Sequence, residues 1–452
     1  MRVYLDSLGC RVNEAEREAW AAALGARGHR SLPAPPGADL VVLNSCAVTR
    51  AAARKTRQAV ARLRRACPAA RVVVVGCYPD LERRRDGADL VLGNRDKDDL
   101  VARLEAWWSR VRPEPAGQGR VGRALPLAGG AARTRAFVKV QDGCRHRCTY
   151  CAVTLARGEE RSRALDAVVA EVASRVAAGA REVVLTGIHL GGYGGDLGPG
   201  VDLASLVRGV LADARPERLR LSSLEPWTVT TELLGSWRDP RLLPHLHLPV
   251  QSGSDPVLRR MGRRGSAAAL RELVAQVRQT IPGVTLTTDV IVGFPGEGPA
   301  ELAQTARLVE ELGFADLHVF PFSPRPGTAA ARLAGQVSRA ERRRRSQVMR
   351  ALAEGLRLRH ARGLVGEVRP VLWERAALRD GVWEQRGYTP GYVRVRAVGT
   401  GDRRLQGRVT ATRLVGVDAD GGLEGTPLDG PVGQATGAVG WSRPGLEEEE
   451  ER

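Results

Sequence analysis

Lysine is scarce in this chain, although the chain is strongly basic. Its 452 residues include 69 lysines and arginines against 51 aspartates and glutamates, a formal charge of +18. Only Lys55, Lys97 and Lys139 are lysines. The positive charge favours an anionic partner such as nucleic acid and says nothing about fold. Arginine suits bidentate phosphate contacts and base stacking, yet so high a share of arginine is equally typical of a GC-rich genome.

Long apolar runs are absent as well. No run approaches the roughly 18 residues that a membrane-spanning helix needs, and Asp6 interrupts the apolar N-terminal stretch, so we expect neither a membrane span nor a signal peptide. The contents of 43% hydrophobic and 27% charged residues are those of a globular protein with two or three domains. Seven cysteines in such a chain favour a reducing cytoplasm and metal ligation over disulfides.

A fourth cysteine is missing from the most unusual stretch, residues 141–163. It contains Cys144, Cys148 and Cys151 at C-x3-C-x2-C spacing. Iron-sulfur clusters usually take four cysteines, and an incomplete set leaves one iron open to another ligand. Zinc is the alternative, but a structural zinc site closes its tetrahedron with a fourth cysteine or histidine. His146 lies between two of the thiols and is badly placed for that role.

This spacing after a short strand resembles the cluster loop of radical S-adenosylmethionine (SAM) enzymes. The resemblance implies a [4Fe-4S] cluster on Cys144, Cys148 and Cys151, whose fourth iron chelates the amino and carboxylate groups of SAM and reduces it to a 5'-deoxyadenosyl radical. One residue departs from the family pattern, because members commonly have proline three residues after the third cysteine, where this chain has Thr154. The departure leaves the predicted ligands in place and affects only the wall of the loop.

Residues 1–116 alternate short apolar runs with helical stretches, which predicts an open parallel sheet. Cys10, Cys46 and Cys77 follow the first three apolar runs, at 3–5, 40–43 and 72–75, and a fourth run covers 90–92. Ligands of such sheets bind beyond the carboxyl ends of the strands, so we expect the three thiols at one edge. Cys67 lies at the end of a basic helix and is predicted to be a bystander.

The segments around these cysteines, LGCRVNEAE, NSCAVTRAAARKTRQ and VVVGCYPD, resemble the methylthiotransferase N-terminal domain. The resemblance implies a second, auxiliary [4Fe-4S] cluster on Cys10, Cys46 and Cys77, again with one iron free. The alternative is three structural cysteines that stand at strand ends by chance.

A glycine-rich linker is predicted at 117–134, and a radical SAM domain at 130–362. Six β-α units at this spacing predict a partial (β/α)6 barrel, whose active site would lie at the carboxyl ends of the strands. The predicted strands are 136–140, 181–188, 218–223, 245–250, 285–292 and 316–322.

Polar residues and glycines follow several of these strands. A glycine there is often only a turn, and an acidic residue often only caps the next helix. By resemblance to the radical SAM barrel, we assign Gly187 to backbone contact with the methionine moiety of SAM. Ser223, Glu225 and Gln251 would contact its polar groups, and the VIVGFPGE segment with Gly293 would flank its adenine.

The C-terminal part changes its periodicity. Residues 337–362 predict one basic helix, either a solvated face or a phosphate-binding surface. Residues 363–428 alternate with period two between glycines, which predicts a small β-barrel resembling the RNA-binding TRAM domain. Its aromatics lie among arginines, as in proteins that stack single-stranded bases, although about half should be core; they are Trp373, Trp383, Tyr388 and Tyr392. Residues 429–452 predict a disordered acidic tail.

Over nearly its whole length the chain resembles radical SAM methylthiotransferases, in particular the branch that acts on N6-threonylcarbamoyladenosine at position 37 of tRNA. The resemblance implies that one SAM methylates sulfur at the auxiliary cluster, while a second SAM supplies the radical that removes hydrogen from C2 of the adenine. An aryl C–H bond is too weakly acidic for general base chemistry, so the cofactor must supply the radical and the protein must position it. The expected partners are the tRNA anticodon loop, an electron donor such as flavodoxin or ferredoxin, and a sulfur source.

The substrate prediction has alternatives. The branch that acts on N6-isopentenyladenosine shares all six cysteines, but LGCRVN and GIHLG resemble the threonylcarbamoyl branch more closely. An enzyme with the same architecture methylthiolates an aspartate of a ribosomal protein. A non-catalytic RNA-binding protein with structural zinc is the remaining alternative, and it predicts no SAM cleavage.

Overall fold

The structure is a computed structural model and describes residues 1–111, 134–399 and 404–428 of the chain. Most of the predicted linker at 117–134 and all of the predicted tail at 429–452 lie outside the described residues. The predicted fold class is confirmed: a parallel N-terminal sheet, a partial β/α barrel and a small C-terminal β-barrel. The domain boundaries stay predictions.

The N-terminal unit is a parallel sheet with helices on both faces. Its elements are β1 Arg2–Ser7, α1 Arg11–Ala26, β2 Arg30–Leu32, β3 Leu40–Ser45, α2 Arg50–Ala66, β4 Arg71–Gly76, α3 Cys77–Glu82, β5 Leu90–Leu92 and α4 Leu100–Val111. The strand order is β2-β1-β3-β4-β5. Helices α1 and α4 pack on one face and α2 on the other. The order in which strands join the sheet reverses between β1 and β3, and doubly wound sheets bind ligands at such a point.

The second unit contains the predicted barrel. Its elements are β6 Arg135–Asp142, α5 Val153–Arg157, β7 Arg161–Ser162, α6 Leu165–Ala177, β8 Glu182–Gly187, α7 Leu203–Gly209, β9 Leu219–Leu221, α8 Thr231–Gly235, β10 His245–His247, α9 Asp255–Met261, α10 Ala267–Thr280, β11 Thr285–Val292, α11 Pro299–Glu311, β12 Asp316–Pro321 and α12 Arg339–Gly363. Strands β6, β8 and β9 pair in parallel, as do β10, β11 and β12. Parallel bridges from Leu219 to Leu242 and from Ser223 to His247 join the two groups.

Each of the six predicted barrel strands is present, whereas several short elements were not predicted, among them β2, α3, α5, β7 and α9. Strand β2 is a three-residue edge strand that contains a single apolar residue, so it lacks an apolar run. Strand β7 covers two residues and pairs antiparallel with the end of β6. Helix α9 ends after seven residues at Gly262, whose φ is +66°, and so short a stretch shows little periodicity.

The barrel is open between β6 and β12. Helix α1 of the N-terminal unit packs along β6, where Glu18 accepts from the backbone N–H of Phe137. Helix α12 packs along β12. The lateral opening therefore lies between two helices, one of which begins directly after Cys10.

The C-terminal unit is a closed barrel in the order β13-β14-β15-β17-β16. Its strands are β13 Val368–Arg379, β14 Val382–Tyr388, β15 Arg394–Val398, β16 Val409–Val417 and β17 Leu423–Pro427. Trp373 is fully buried at its centre and donates from Nε1 to Thr410 Oγ1 at 2.8 Å. Tyr388 and Tyr392 instead stack on each other and contact Arg135 at the start of β6. The two tyrosines thus dock this barrel under the larger one.

Across the described ranges, no helix is both long enough and apolar enough to span a bilayer.

Candidate active site

The loop after β6 carries three of the cysteines. It begins at Gly143, where φ is +73° and a Cβ atom would lie 1.9 Å from the carbonyl oxygen of Glu159, so only glycine fits. The N–H of Cys144 donates to Gly158 O at 3.1 Å, and that of Cys151 donates to Cys148 O at 3.0 Å. These bonds fold the loop back on itself and give it a defined shape.

Thr154, the departure from the family pattern, stabilises the same loop. Its hydroxyl lies 3.3 Å from Cys144 O and 3.1 Å from His146 O. It stands in the first turn of α5, where a proline would also be tolerated because the helix leaves that N–H unpaired. The hydroxyl holds the wall of the loop by hydrogen bonds, whereas a proline at this position would hold it by fixing φ with its ring.

The three thiols of this loop are free and partly exposed. Burial raises the pKa of Cys144 to about 12 and that of Cys151 to about 11. Without a metal the thiols of Cys144 and Cys151 would be protonated at neutral pH, and a bound metal would displace those protons because it ligates the thiolate. The donor set is soft, unpaired by disulfides and one short of four, which suits an iron-sulfur cluster with one open iron.

A polar wall faces Cys144. Its Sγ lies within 4.8 Å of a carboxylate oxygen of Glu160 and a ring nitrogen of His189. Glu160 Oε1 lies 2.8 Å from His189 Nδ1 and accepts from the N–H of Arg145 at 3.0 Å. The pair fixes the orientation of the His189 ring beside the thiol.

Several buried polar atoms of this wall have no hydrogen-bond partner among the described residues. They are His146 Nε2, His189 Nε2, Glu225 Oε2 and Trp227 Nε1. His189 Nε2 and Glu225 Oε2 stand 3.6 Å apart, too far for a hydrogen bond. An unpaired buried polar group costs about 1–3 kcal/mol, so the wall fits a bound molecule with several polar groups, as SAM has.

The other residues predicted to contact SAM lie at the same end of the barrel. Gly187 ends β8, and a Cβ there would meet Gln141 at 3.1 Å. Ser223 bridges to His247 beyond β9. Gln251 has a φ of +69°, rare for a residue with a side chain, and its backbone bonds to Asp289 and Ile291. Such strain clusters at functional sites.

Gly293 differs from this group. Its N–H donates to Glu297 Oε1 at 2.8 Å, and a Cβ would lie 2.2 Å from Arg342 Cγ. Glu297 is also held by Arg345 of α12 at 2.7 Å. The surroundings of Gly293 are thus filled by the chain itself, and its glycine is required for close packing of α12 against the barrel.

Cys10, Cys46 and Cys77 all lie at the carboxyl edge of the N-terminal sheet, after β1, β3 and β4. A Cβ on Gly9, whose φ is +112°, would lie 2.7 Å from Cys46 Cβ, so glycine allows the first loop to reach the second. Burial, with smaller effects from Cys77 and Cys10, raises the pKa of Cys46 to about 11. Cys67 is remote from this edge and contacts Pro35 O at 2.8 Å.

A buried ionic network joins the two cysteine groups. Arg157, at the end of α5, donates to Glu16 at 3.1 Å, Asp142 at 2.8 Å and Asn13 at 2.7 Å. Burial alone would raise the pKa of Glu16, but Lys97 and Arg157 lower it well below its usual value. Helix α5, which follows the loop of Cys144, Cys148 and Cys151, is therefore anchored to helix α1, which follows Cys10.

Sequence reasoning missed Arg157, Glu160 and Trp227. Arg157 and Glu160 lie within residues 141–163, the stretch that contains three cysteines. Charged residues so close in sequence to three thiols could have been identified as part of the site. Trp227 follows Pro226 in a single 3-10 turn and carries no such signal. Its place beside His146, at 5.5 Å between ring centroids, comes from the fold.

Two family models match the chain. Residues 138–309 match the radical SAM superfamily, and residues 2–93 match a family described as Uncharacterized protein family UPF0004. The first range covers all three loop cysteines of the barrel, and the second covers Cys10, Cys46 and Cys77.

Curated relatives match over most of their length. The chain is 37% identical to the threonylcarbamoyladenosine tRNA methylthiotransferase MtaB of Thermotoga maritima, over 88% of this chain and 91% of that protein. It is 34% identical to MtaB of Bacillus subtilis, over 91% and 93%. It is also 34% identical to the tRNA-2-methylthio-N(6)-dimethylallyladenosine synthase of Sphingopyxis alaskensis, over 84% and 88%.

Among solved structures, the radical S-adenosylmethionine methyltransferase TsrM of Kitasatospora setae has a TM-score of 0.54 and 15% identity. The match covers 73% of this chain and 75% of that one. At this identity the likeness supports the fold alone.

Proposed function

This chain belongs to the radical SAM tRNA methylthiotransferases, and we propose that it converts N6-threonylcarbamoyladenosine at position 37 of tRNA to its 2-methylthio derivative. The observation that carries the proposal is the presence of two groups of three free thiols, anchored to each other through Arg157. The methylthiotransferase relatives that match over about nine-tenths of their length support it.

Membership of the radical SAM superfamily implies one [4Fe-4S] cluster and SAM. We assign that cluster to Cys144, Cys148 and Cys151, and we propose a second [4Fe-4S] cluster on Cys10, Cys46 and Cys77. When bound, these groups supply the one-electron and sulfur chemistry that an aryl C–H bond demands.

The chain's own residues bind and orient the cofactor. We propose that Gly187, Ser223 and Gln251 contact SAM along the strand ends, and that Glu225 binds one of its polar groups through the unpaired Oε2. Glu160 would keep the His189 ring turned toward the same space. We propose that Gly293 flanks the adenine through its backbone alone, because Arg342 fills the space where a side chain would stand.

The second candidate is the isopentenyl-type substrate. The observation in its favour is the relative of Sphingopyxis alaskensis, named as a dimethylallyladenosine synthase, at the same 34% identity as the Bacillus subtilis relative. The cysteine geometry does not separate the two substrates, since both reactions transfer a methylthio group to the same carbon of adenine.

A tRNA substrate has consequences for the partners. We propose that the anticodon loop enters the lateral opening of the barrel, that an electron donor such as flavodoxin or ferredoxin reduces the clusters, and that a separate donor supplies sulfur. We also propose that the protein works in the cytoplasm.

Mass spectrometry of tRNA nucleosides tests the proposal directly. Cells that lack the gene should lose 2-methylthio-N6-threonylcarbamoyladenosine and accumulate its precursor. The gene restored on a plasmid should recover the product, and the same gene with Cys148→Ala should not. Loss of the isopentenyl analogue instead would favour the second candidate. An unchanged nucleoside profile would contradict both and direct attention to a ribosomal protein substrate.

A further inference from the structure

A cavity of about 440 Å³ occupies the lateral opening of the barrel. Its lining combines all three units: Arg11 from α1, His247 and His318 from barrel strands, and Tyr392 from the C-terminal barrel. Its size is within the usual range for small-molecule pockets. It lies apart from the polar wall around Cys144, whose residues do not line it.

The carboxylates of this cavity are already paired. Asp316 binds Arg357 at 3.0 Å, and Asp420 lies 3.7 Å from Arg394. Asp289, just behind the lining, lies 3.1 Å from His247 Nε2 and 3.0 Å from His318 Nδ1. The hydrogen bond that the His318 ring makes to Asp289 raises the pKa of His318, so this ring carries positive charge more readily than an ordinary histidine.

Arg11 is the exception among the arginines of the lining. Its guanidinium lies 5.4 Å from the centroid of the Tyr392 ring. It forms no ion pair or hydrogen bond with a carboxylate in the described ranges, whereas Arg357 and Arg394 do. A guanidinium has five N–H donors in a planar fork, which matches a carboxylate in two parallel bonds. The half-buried cation is therefore available to an anionic group that enters the cavity.

We propose that Arg11 binds the carboxylate of the threonylcarbamoyl side chain and so selects this substrate over neutral N6 substituents. The inference rests on the proposed function. Arg11 follows Cys10 directly, and the six-membered ring of adenine carries both C2, which receives sulfur, and C6, which bears the side chain. A base presented to the sulfur site thus brings its N6 substituent into the same part of the molecule.

Binding of two matched RNAs tests the assignment. Both are anticodon stem-loops of one sequence, the first with N6-threonylcarbamoyladenosine at position 37 and the second with its methyl ester, which removes the charge and adds one methyl group. With the anaerobically reconstituted full chain, fluorescence anisotropy should show about 10-fold or greater preference for the carboxylate, as expected for a charge-assisted bidentate bond.

Three variants test whether Arg11 itself causes this preference. Arg11→Gln should lower this preference to below about twofold, Arg11→Lys should retain part of it as a point charge, and Arg208→Gln on the outer face of the barrel should leave it unchanged. Iron content and cluster absorbance should stay equal in all of them, which excludes an indirect effect through Cys10.

The outcomes distinguish a failure of the Arg11 assignment from a failure of the proposed function. A wild type that forms the 2-methylthio product, together with an Arg11→Gln variant that keeps the full preference, would overturn the role of Arg11 and leave the function standing. A wild type with no preference and no product from the threonylcarbamoyl RNA would overturn both.

Discussion

At the scale of single residues, the two cysteine groups differ in their surroundings. The loop of Cys148 faces a wall of unpaired polar atoms. In the N-terminal group, Cys46 is buried, Cys10 Sγ lies 3.8 Å from Asn13 Oδ1, and Cys77 Sγ lies 3.6 Å from Asn94 Nδ2. These surroundings suit different tasks, since a site that binds SAM needs polar partners and a site that carries sulfur does not.

Single cysteine substitutions should therefore separate the two tasks. We expect Cys148→Ala to abolish SAM cleavage while about four of about eight irons per chain remain. Cys46→Ala should lose a similar amount of iron, keep SAM cleavage and fail to form the methylthio product. Iron analysis and chromatography of deoxyadenosine measure both outcomes.

Cys67→Ala is the matched control, because this thiol is buried far from both groups. It should keep full iron and full activity. Deoxyadenosine from the Cys148→Ala variant would contradict the assignment of the SAM cluster, and complete product from Cys46→Ala would contradict the auxiliary one.

At the scale of elements, helix α12 has two distinct faces. Arg345 is buried against Glu297, and Arg342 donates to Phe322 O at 2.6 Å, so part of the arginine density predicted as surface is structural. Arg343, Arg350 and Arg362 are exposed. The predicted phosphate-binding surface is limited to this outer face.

Neutralising that face should weaken tRNA binding without changing the fold. In a triple variant with glutamine at Arg343, Arg350 and Arg362, we expect the slope of log K against log salt to fall by about 2 to 3, since each phosphate contact contributes about 0.7 to 0.9. Filter binding over a range of salt concentrations measures the slope.

Cleavage of SAM by the same triple variant without RNA should equal that of the wild type, which serves as the control for folding. An unchanged salt slope would mean that α12 presents only a solvated face.

At the scale of the whole molecule, buried ion pairs connect the units. Arg135 at the start of β6 binds Glu374 of the C-terminal barrel, and Glu16 joins α1 to Arg157 of the larger barrel. Beside Arg135, Glu182 binds Arg220 at 2.7 Å and Arg218 at 3.1 Å. Burial alone would raise the pKa of Glu182, but Arg220 and Arg218 lower it to about 2.

The protein should therefore lose stability in acid. A carboxylate whose folded pKa is lowered stabilises the fold above its unfolded pKa, and that contribution is lost as pH falls through the folded value. For Glu182 this loss occurs as the pH falls from about 4.5 to about 2, and its contribution to the free energy of unfolding is on the order of 3 kcal/mol. Urea unfolding midpoints at pH 6 and pH 3.5 should show the loss.

Glu182→Gln tests whether this carboxylate is responsible. The variant should be less stable at pH 6 by about 3–5 kcal/mol, because it leaves two buried guanidinium groups without their partner. Its midpoint should also fall less than that of the wild type between the two pH values. An equal fall in both proteins would assign the acid sensitivity to other carboxylates.

The sequence by itself determined most of the secondary-structure elements and the places of the cysteines at strand ends. Period-two and apolar runs predicted all six barrel strands, because a strand buried on both faces must be apolar along its length. The positions of Cys10, Cys46 and Cys77 after successive strands predicted their meeting, because parallel strands end at one edge. Local patterns suffice for these features, since each depends on residues close together in the chain.

Only the tertiary structure decided which distant side chains share a space. The cavity at the lateral opening joins Arg11 to His318 and Tyr392, which lie more than 300 residues later in the chain. The docking of Tyr388 and Tyr392 on barrel arginines likewise leaves two predicted base-stacking aromatics only half-exposed. No periodic pattern within one segment predicts such contacts, because they depend on how the three units pack. Buried ion pairs join these units, and they link segments that lie far apart in the sequence.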